Sequence, residues 1–529
     1  MNSRSTRFTS NEVLDLIIVG GGINGAGIAA DASGRGLKVG LYEAKDFASA
    51  TSSASSKLVH GGLRYLEHYE FRLVSEALAE REVLLNKAPH IVTPMRFRLP
   101  HRPFLRPAWM IRAGLFLYDH LSKRTSLPAS HKVALKAGTI TKPEMAVGFE
   151  YSDCWVDDAR LVLLNARQAH EQGGEVLNYC TVEKAQRVGK LWHVTLFDEQ
   201  TEQRFERRSH ALVNATGPWV KQFLHHHAQI NSPYGIRLIQ GSHIIVPRIH
   251  AEPQAYILQN EDKRIVFVIP YLDHYSMIGT TDVEYHGDPR HVAITDAERD
   301  YLIAIVNKHF IHQITRSDII AEFSGVRPLC DDESNSPQAI TRDYTLALDC
   351  PDDQAPLLSI FGGKLTTYRK LAEAAMTQLA PFLPQMGAAW TANAPLPGGE
   401  GFDHLTLKNQ LLTEFPFIGE PLIARWLRSY GSRTRQLLMG VTAIDDLGMA
   451  FSDDLYQKEI DYLCEQEFAR QASDIFWRRS KLGLNHDHAL MIKVESYLQQ
   501  RELNQQIAQQ AGLKPVASEN VQQVKTSQC

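Results

Sequence analysis

Residues 16–19 (Leu-Ile-Ile-Val) are an unbroken apolar run, the pattern of a strand covered on both faces in a parallel sheet. The run passes directly into Gly20-Gly21-Gly22-Ile23-Asn24-Gly25 and then into a helical stretch of small residues, 28–33, which Gly34 and Gly36 end. Residues 37–42 predict a second strand with Glu43 at its tip. Strand, glycine turn, helix and strand in succession predict an α/β fold built on a parallel sheet. Further along, 192–197 reads as a strand, and 265–270 and 275–279 read as paired strands joined through 271–274. Pro395-Leu396-Pro397-Gly398-Gly399 marks a linker. Helical runs lie beyond it at 420–430, where Pro421 suits a first turn, and at 456–471.

Composition narrows the class. A chain of 529 residues can bury a full core without disulfides or metals. Lys+Arg 56 against Asp+Glu 60 leaves a net charge of −4, which argues against nucleic acid as a partner. The 6 cysteines form no CxxC pair and read as buried thiols of a reducing compartment. The longest apolar run, 16–30, contains Asn24 and is too short to span a bilayer, and the first residues lack a signal-peptide pattern. A cytosol-side protein is expected, with membrane-surface attachment left open.

Gly20, Gly22 and Gly25 fill the G-x-G-x-x-G spacing of a dinucleotide fingerprint. The first allows the tight turn, the second lets a pyrophosphate approach the backbone, and the third lets the helix pack on the strand. Asn24 lies in the same turn, whose helix N–H groups face the phosphates. Glu43 stands 18 residues past Gly25, where a carboxylate meets the adenosine ribose hydroxyls. An acid there disfavours an NADP 2′-phosphate, but the fingerprint alone does not separate FAD from NAD.

More specific blocks follow. They are Ala50-Thr51-Ser52-Ser53-Ala54-Ser55-Ser56-Lys57, Leu58-Val59-His60-Gly61-Gly62-Leu63-Arg64-Tyr65-Leu66, Val213-Asn214-Ala215-Thr216-Gly217-Pro218-Trp219, Gly241-Ser242-His243, Ile278-Gly279-Thr280-Thr281-Asp282, Ser324-Gly325-Val326-Arg327-Pro328-Leu329 and Phe361-Gly362-Gly363-Lys364-Leu365-Thr366-Thr367-Tyr368. Together, over about 12–500, they resemble the FAD-dependent glycerol-3-phosphate dehydrogenases, the aerobic respiratory family. The resemblance implies an FAD-binding Rossmann-like domain of the glutathione-reductase/D-amino-acid-oxidase type, with a β-rich substrate cap and a C-terminal α-helical domain. It divides the chain into a discontinuous FAD-binding domain (12–90, 150–240 and 320–390), a cap (91–149 and 241–319), a helical domain (400–498) and a tail (499–529). That tail has nine Gln and few large apolar residues and is expected to be disordered.

The resemblance also implies non-covalent FAD. Thr51, Ser52, Ser53, Ser56 and Lys57 are then cofactor ligands, although a Ser/Ala stretch read alone suits a flexible surface linker better, a reading the resemblance reverses. Ala215 and Gly217 end a strand close to the dinucleotide. Gly362, Gly363, Lys364, Leu365 and Thr366 open a helix expected from 364 to 376, whose N-terminus would stabilise a reduced, anionic flavin.

Glycerol 3-phosphate needs cations for its phosphate and a base for its C2 hydroxyl; the flavin takes the hydride. Arginine matches phosphate oxygens bidentately, so the cation candidates are Arg327, Arg64, Lys364 and Arg342 in that order. Arg342 has an alternative partner in the adjacent Asp343. His60 and His243 are the candidate bases, since an unperturbed imidazole titrates near neutrality. Loss of the proton to water is the alternative. Tyr65 and Thr280 are hydrogen-bond candidates for the substrate. No metal cluster is legible, and His225-His226-His227 reads as a solvated helix end.

Residues 96–136 hold nine Lys/Arg and a single acid, Asp119, around Trp109-Met110-Ile111-Arg112-Ala113-Gly114-Leu115-Phe116-Leu117-Tyr118. Aromatic and aliphatic residues among cations suit anionic lipid, while an amphipathic core helix with a solvated basic face is the competing reading. The resemblance implies ubiquinone as electron acceptor, a homodimer, and peripheral attachment to the cytoplasmic side of the inner membrane. An oxidase using O₂, an amine or amino-acid oxidase, and a non-catalytic flavin sensor are the rivals. The chain has no EF-hand loop, as in a bacterial-type form.

Overall fold

The computed structural model describes residues 8–9, 11–63, 66, 69–102, 107–122, 126–135, 139–262, 264–331, 343–352 and 354–510. Residues 8–402 form one compact unit and Asp403 onward forms a second.

The first unit has two sheets. In one, the order is Tyr344–Asp349, Leu357–Gly362, Gln203–Asn214, Val13–Val19, Val39–Tyr42 and Glu175–Leu177, with Cys180–Val188 and Leu191–Asp198 added as an antiparallel extension of Gln203–Asn214. Its four central neighbouring pairs are parallel. Val13–Val19 sits in the middle, so Leu14 and residues 16–18 lose all contact with solvent. Helices Ile23–Gly34, Asp158–Glu171 and Tyr368–Leu379 pack together on this sheet. The Tyr368 ring lies so close to Gly27 that a Cβ there would stand 2.6 Å from it.

The second sheet runs Val283–Tyr285, Ile236–Pro247, Tyr275–Gly279, Ile265–Tyr271, Ala255–Gln259, Val92–Pro100, Val147–Val156 and Leu58–Val59; Ala321–Cys330 pairs with Ile236–Pro247, and His131–Ala134 with Val147–Val156. Helix Asp296–His309 covers it, packing Leu302 and Val306 against Ile244, Val246, Val268 and Ile278.

Several expectations need revision. The strands at 58–59 and 321–330, with the part of 147–156 beyond 149, fall in the ranges expected for the FAD-binding domain but pair in this second sheet. Strand pairing is a long-range choice that local patterns do not encode. The helix expected from Lys364 begins at Tyr368, because Gly362 (φ 76°) and Gly363 (φ 102°) turn the chain first. The tail expected from 499 continues the helix His488–Gln510 through residue 510, and 511–529 lie outside the described residues.

In the second unit, helix Glu420–Tyr430 buries Trp426 and Leu427. Arg425 donates to both oxygens of the buried Glu459, at 2.7 and 2.6 Å, and the Tyr430 hydroxyl donates to it as well. The helix expected over 456–471 spans Gln457–Gln466.

Glycine packing at the nucleotide turn yields a first prediction. A Cβ on Gly25 would overlap the Gly20 carbonyl oxygen, whereas one on Gly36 meets nothing within 4 Å. Gly25→Ala is expected to yield protein without the visible flavin band. Gly36→Ala, which places a side chain at φ 84°, is expected to stay yellow and lose about 1–2 kcal/mol of stability in thermal melts.

Candidate active site

The two sheets enclose a cavity of about 1510 Å³. At its floor, Gly20 takes φ 107° and a Cβ on it would stand 2.5 Å from the Ala215 oxygen. Ser52 Oγ accepts from Ile23 N at 3.0 Å, tying the serine loop to the first turn of helix Ile23–Gly34. Asn24 Nδ2 donates to Gly362 O at 3.1 Å, while its Oδ1 is buried with no hydrogen-bond partner. Glu43 accepts from Gly21 N at 2.5 Å and from Lys45 N at 2.9 Å, and burial raises its carboxyl above the ordinary range. Bare backbone at Gly20, Gly22 and Gly363, an orphaned acceptor on Asn24 and a carboxylate at the second strand form a cradle that fits FAD.

The serine loop is firmly held. Thr51 Oγ1 donates to Val326 O at 2.7 Å, and Ser55 donates twice to Asp158 Oδ2. Lys57 departs from its expected role. Its ammonium forms a buried pair with Asp158 at 2.7 Å and donates to Ser53 O, so it braces the loop and does not line the cavity. Ser52, Ser53, Ser56 and Thr51 do line it. Gly25 does not; its role is packing against Gly20.

On the cap side the structure brings His60, His243, Thr280 and Arg327 into the same cavity, with Lys364, Leu365 and Thr366. Arg327 pairs with Asp282, and its Nη2 donates to Thr280 Oγ1 at 3.1 Å. Gly241 permits this, because a Cβ there would lie 2.6 Å from both the guanidinium and the threonine oxygen. His243 is 2% exposed, stacks on Phe323 at 4.8 Å, and shares a 2.9 Å hydrogen bond between Nε2 and Ser56 Oγ. Burial, helped by the Arg327 and Lys57 cations, pushes it down to about 3, so it is a neutral imidazole at pH 7. His60, more exposed than His243, lies 6.4 Å from the Phe267 ring. The neighbouring Gly61 N donates to Tyr118 OH at 2.8 Å, and Tyr118 in turn donates to the buried Asp153, which also pairs with Arg81. Arg64, Tyr65 and Arg342 lie outside the described residues.

Sequence reasoning did not assign Asp282, Phe323, Asp158 or Tyr118. Asp282 stood within a quoted motif, and its pairing with Arg327 was its only missing signal. The triple histidine closes a helix as expected: Val220–Gln222 runs into the π-helical stretch Phe223–Ala228, whose last turn exposes His225 and His226, while His227 bonds Glu183 O at 2.9 Å.

A nucleotide sheet with a parallel centre, a mostly antiparallel cap and a glycine-lined cavity with Arg327 on its cap wall define a flavin-dependent oxidoreductase. Residues 15–369 match the family model described as FAD dependent oxidoreductase, and 389–506 match the C-terminal domain of alpha-glycerophosphate oxidase. The chain is 58% identical over 496 residues to the aerobic glycerol-3-phosphate dehydrogenase of Escherichia coli, covering 93% of this chain and 99% of that protein. It is 59% identical to a glycerol-3-phosphate dehydrogenase of Pseudomonas aeruginosa, covering 92% and 95%. The Bacillus halodurans glycerol-3-phosphate dehydrogenase complexed with FAD superposes with a TM-score of 0.72 at 28% identity, covering 96% and 92%. The chain belongs to the FAD-dependent glycerol-3-phosphate dehydrogenase family, and FAD is its cofactor.

The depressed His243 sets a pH dependence. The unfolded histidine binds a proton near 6.5, the folded one only near 3, so this group's stabilisation is full above 6.5 and is lost as pH falls toward 3. His243→Gln is expected to flatten the loss of thermal stability across that window. An unchanged slope would show that His243 is not desolvated as described.

Proposed function

We propose that this enzyme oxidises sn-glycerol 3-phosphate to dihydroxyacetone phosphate and passes the electrons to ubiquinone, working as a homodimer on the cytoplasmic face of the inner membrane. The observation that carries the substrate reading is the gathering of Arg327, Thr280, Lys364 and His60 in one cavity with the flavin cradle. FAD, when bound, supplies the two-electron acceptor for the hydride leaving C2. Arg327, oriented by Asp282, holds the phosphate, and Lys364 adds positive charge. His60 takes the C2 hydroxyl proton, because His243 is too weak a base at neutral pH and serves as a neutral hydrogen-bond partner. Arg64, Tyr65 and Arg342 keep the substrate roles that the family resemblance implies.

Membrane seating is supported by helix Ala108–His120. Trp109 is 69% and Phe116 60% exposed, with Met110 and Leu117 beside them, while Leu115 and Tyr118 are its buried side chains. Arg112 and Lys132 are exposed. The basic excess around it is smaller than the bare count over 96–136, since Arg96 and Arg98 pair with Glu150 and Arg102 is buried. Among the described residues no helix is long and apolar enough to cross a membrane. A second reading, electron delivery to O₂, draws on the match of 389–506 to a glycerophosphate oxidase domain.

The test is anaerobic mixing of yellow protein with glycerol 3-phosphate, followed by short-chain ubiquinone or, separately, air. Bleaching by this substrate and not by glycerol supports the assignment; fast recovery with quinone and slow recovery in air marks the dehydrogenase, and the reverse marks the oxidase. Arg327→Ala is expected to raise KM about a hundredfold, from roughly 3 kcal/mol of lost charge-assisted bonding. His60→Gln is expected to lower kcat by about 10²–10⁴-fold with KM little changed. Trp109→Glu with Arg112→Glu is expected to abolish sedimentation with anionic liposomes; retained sedimentation would exclude this helix as the membrane contact.

A further inference from the structure

Behind the cap wall that carries Arg327 lies a buried carboxylate outside the cavity lining. Glu298, 6% exposed, sits in the first turn of helix Asp296–His309. Its Oε2 accepts from Thr295 N and Thr295 Oγ1, both at 2.9 Å, which completes a capping box. The same oxygen accepts from Gln240 Nε2 at 2.9 Å. Its Oε1 points the other way, accepting from Ser242 Oγ at 2.8 Å and Thr281 Oγ1 at 2.6 Å. A helix cap needs only the first oxygen; the second serves Ser242 on strand Ile236–Pro247 and Thr281 just past strand Tyr275–Gly279.

Those two residues place the carboxylate beneath the substrate wall. Ser242 is flanked by Gly241 and His243; Thr281 is flanked by Thr280 and Asp282. Thr281 Oγ1 also accepts from Ser242 N at 2.9 Å, so one hydroxyl joins the two segments. Ser242 Oγ is 2.9 Å from Ser324 Oγ, on the strand Ala321–Cys330 that carries Arg327. Because Ser242 gives its proton to Glu298, Ser324 must donate to Ser242. One acceptor-only group thus sets the direction of hydrogen bonding through three segments, and each of the three presents a cavity residue on its far side.

We infer that Glu298 is a positioning residue for substrate binding: it fixes the register of Thr280, Asp282 and Arg327 against Gly241 and His243. This rests on the substrate reading proposed above. Glu298→Gln separates the two functions of the carboxylate. The backbone N–H of Thr295 cannot reverse, and the Gln240 amide is held in place by its donation to Ala293 O at 2.8 Å, so the glutamine carbonyl must face them and the cap survives. The glutamine NH₂ then meets the Ser242 and Thr281 hydroxyls, which lose their acceptor. Thr295→Ala does the converse, weakening the cap and leaving the strand side intact.

The experiment titrates the product dihydroxyacetone phosphate into FAD-loaded wild type, E298Q and T295A, reading perturbation of the oxidised flavin spectrum for Kd and a thermal scan for stability. E298Q is expected to weaken binding about tenfold or more, as loss of a charge-assisted bond does, with an unaltered resting flavin spectrum. T295A is expected to lower the thermal midpoint yet keep Kd within about twofold, the size of ordinary effects remote from a site. Equal Kd values for E298Q and T295A would overturn the inference. Should E298Q fail to fold, Thr281→Val removes both the donor to Glu298 and the acceptor of Ser242 N, while leaving the Thr295 cap in place; an unchanged Kd in T281V overturns the inference and a raised one supports it. A wild type whose flavin neither substrate nor product perturbs would refute the substrate assignment instead, so the two failures are distinct.

Discussion

The close approach of the Gly20–Gly25 turn to the end of strand Gln203–Asn214 is the constraint on which the rest of this molecule depends. Gly20 and the Ala215 carbonyl leave no space for a side chain, and Gly25 sits on the Gly20 oxygen. That contact lets helix Ile23–Gly34 point its N-terminus into the cavity and lets the sheet bring Gly362 and Gly363 alongside. The serine loop then closes over the helix start through Ser52, and the buried Lys57–Asp158 pair locks the loop from behind. Removing either partner of that pair would strand a desolvated charge, so the loop's shape is set by electrostatics as much as by packing.

The cap obeys a different logic. Its sheet is covered on one side by helix Asp296–His309 and faces the cavity on the other. Polar residues on the covered side are admissible because Glu298 satisfies them. The cavity side carries the charged chemistry, and Asp282 keeps the Arg327 guanidinium oriented. A neutral His243 beside two cations follows from the same placement: burial forbids a third positive charge there. The neutrality of His243 is thus a consequence of its depth.

Much of this was legible beforehand because it is local. The dinucleotide turn is a spacing of glycines after an apolar run, and the strands at 265–271 and 275–279 are short, mostly apolar segments around a turn. The motif blocks held most of the cavity residues. Three kinds of feature were not legible. Sheet membership of 147–156 and 321–330 depends on partners well outside the local sequence, such as Leu58 for Trp155 and Ile236 for Cys330. The late start of helix Tyr368–Leu379 depends on two glycines in left-handed conformations. The pairing of Lys57 depends on Asp158, which only folding brings within reach.

The sequence by itself determined the class of cofactor, the family and the residue types at the site, since each resides in a contiguous stretch whose backbone demands are met by its own residues. Only the tertiary structure decided which of those residues face the cavity and which brace it. Lys57 turned inward and Glu298 emerged as a hub, because burial and charge pairing are properties of the assembled neighbours and appear in no single segment.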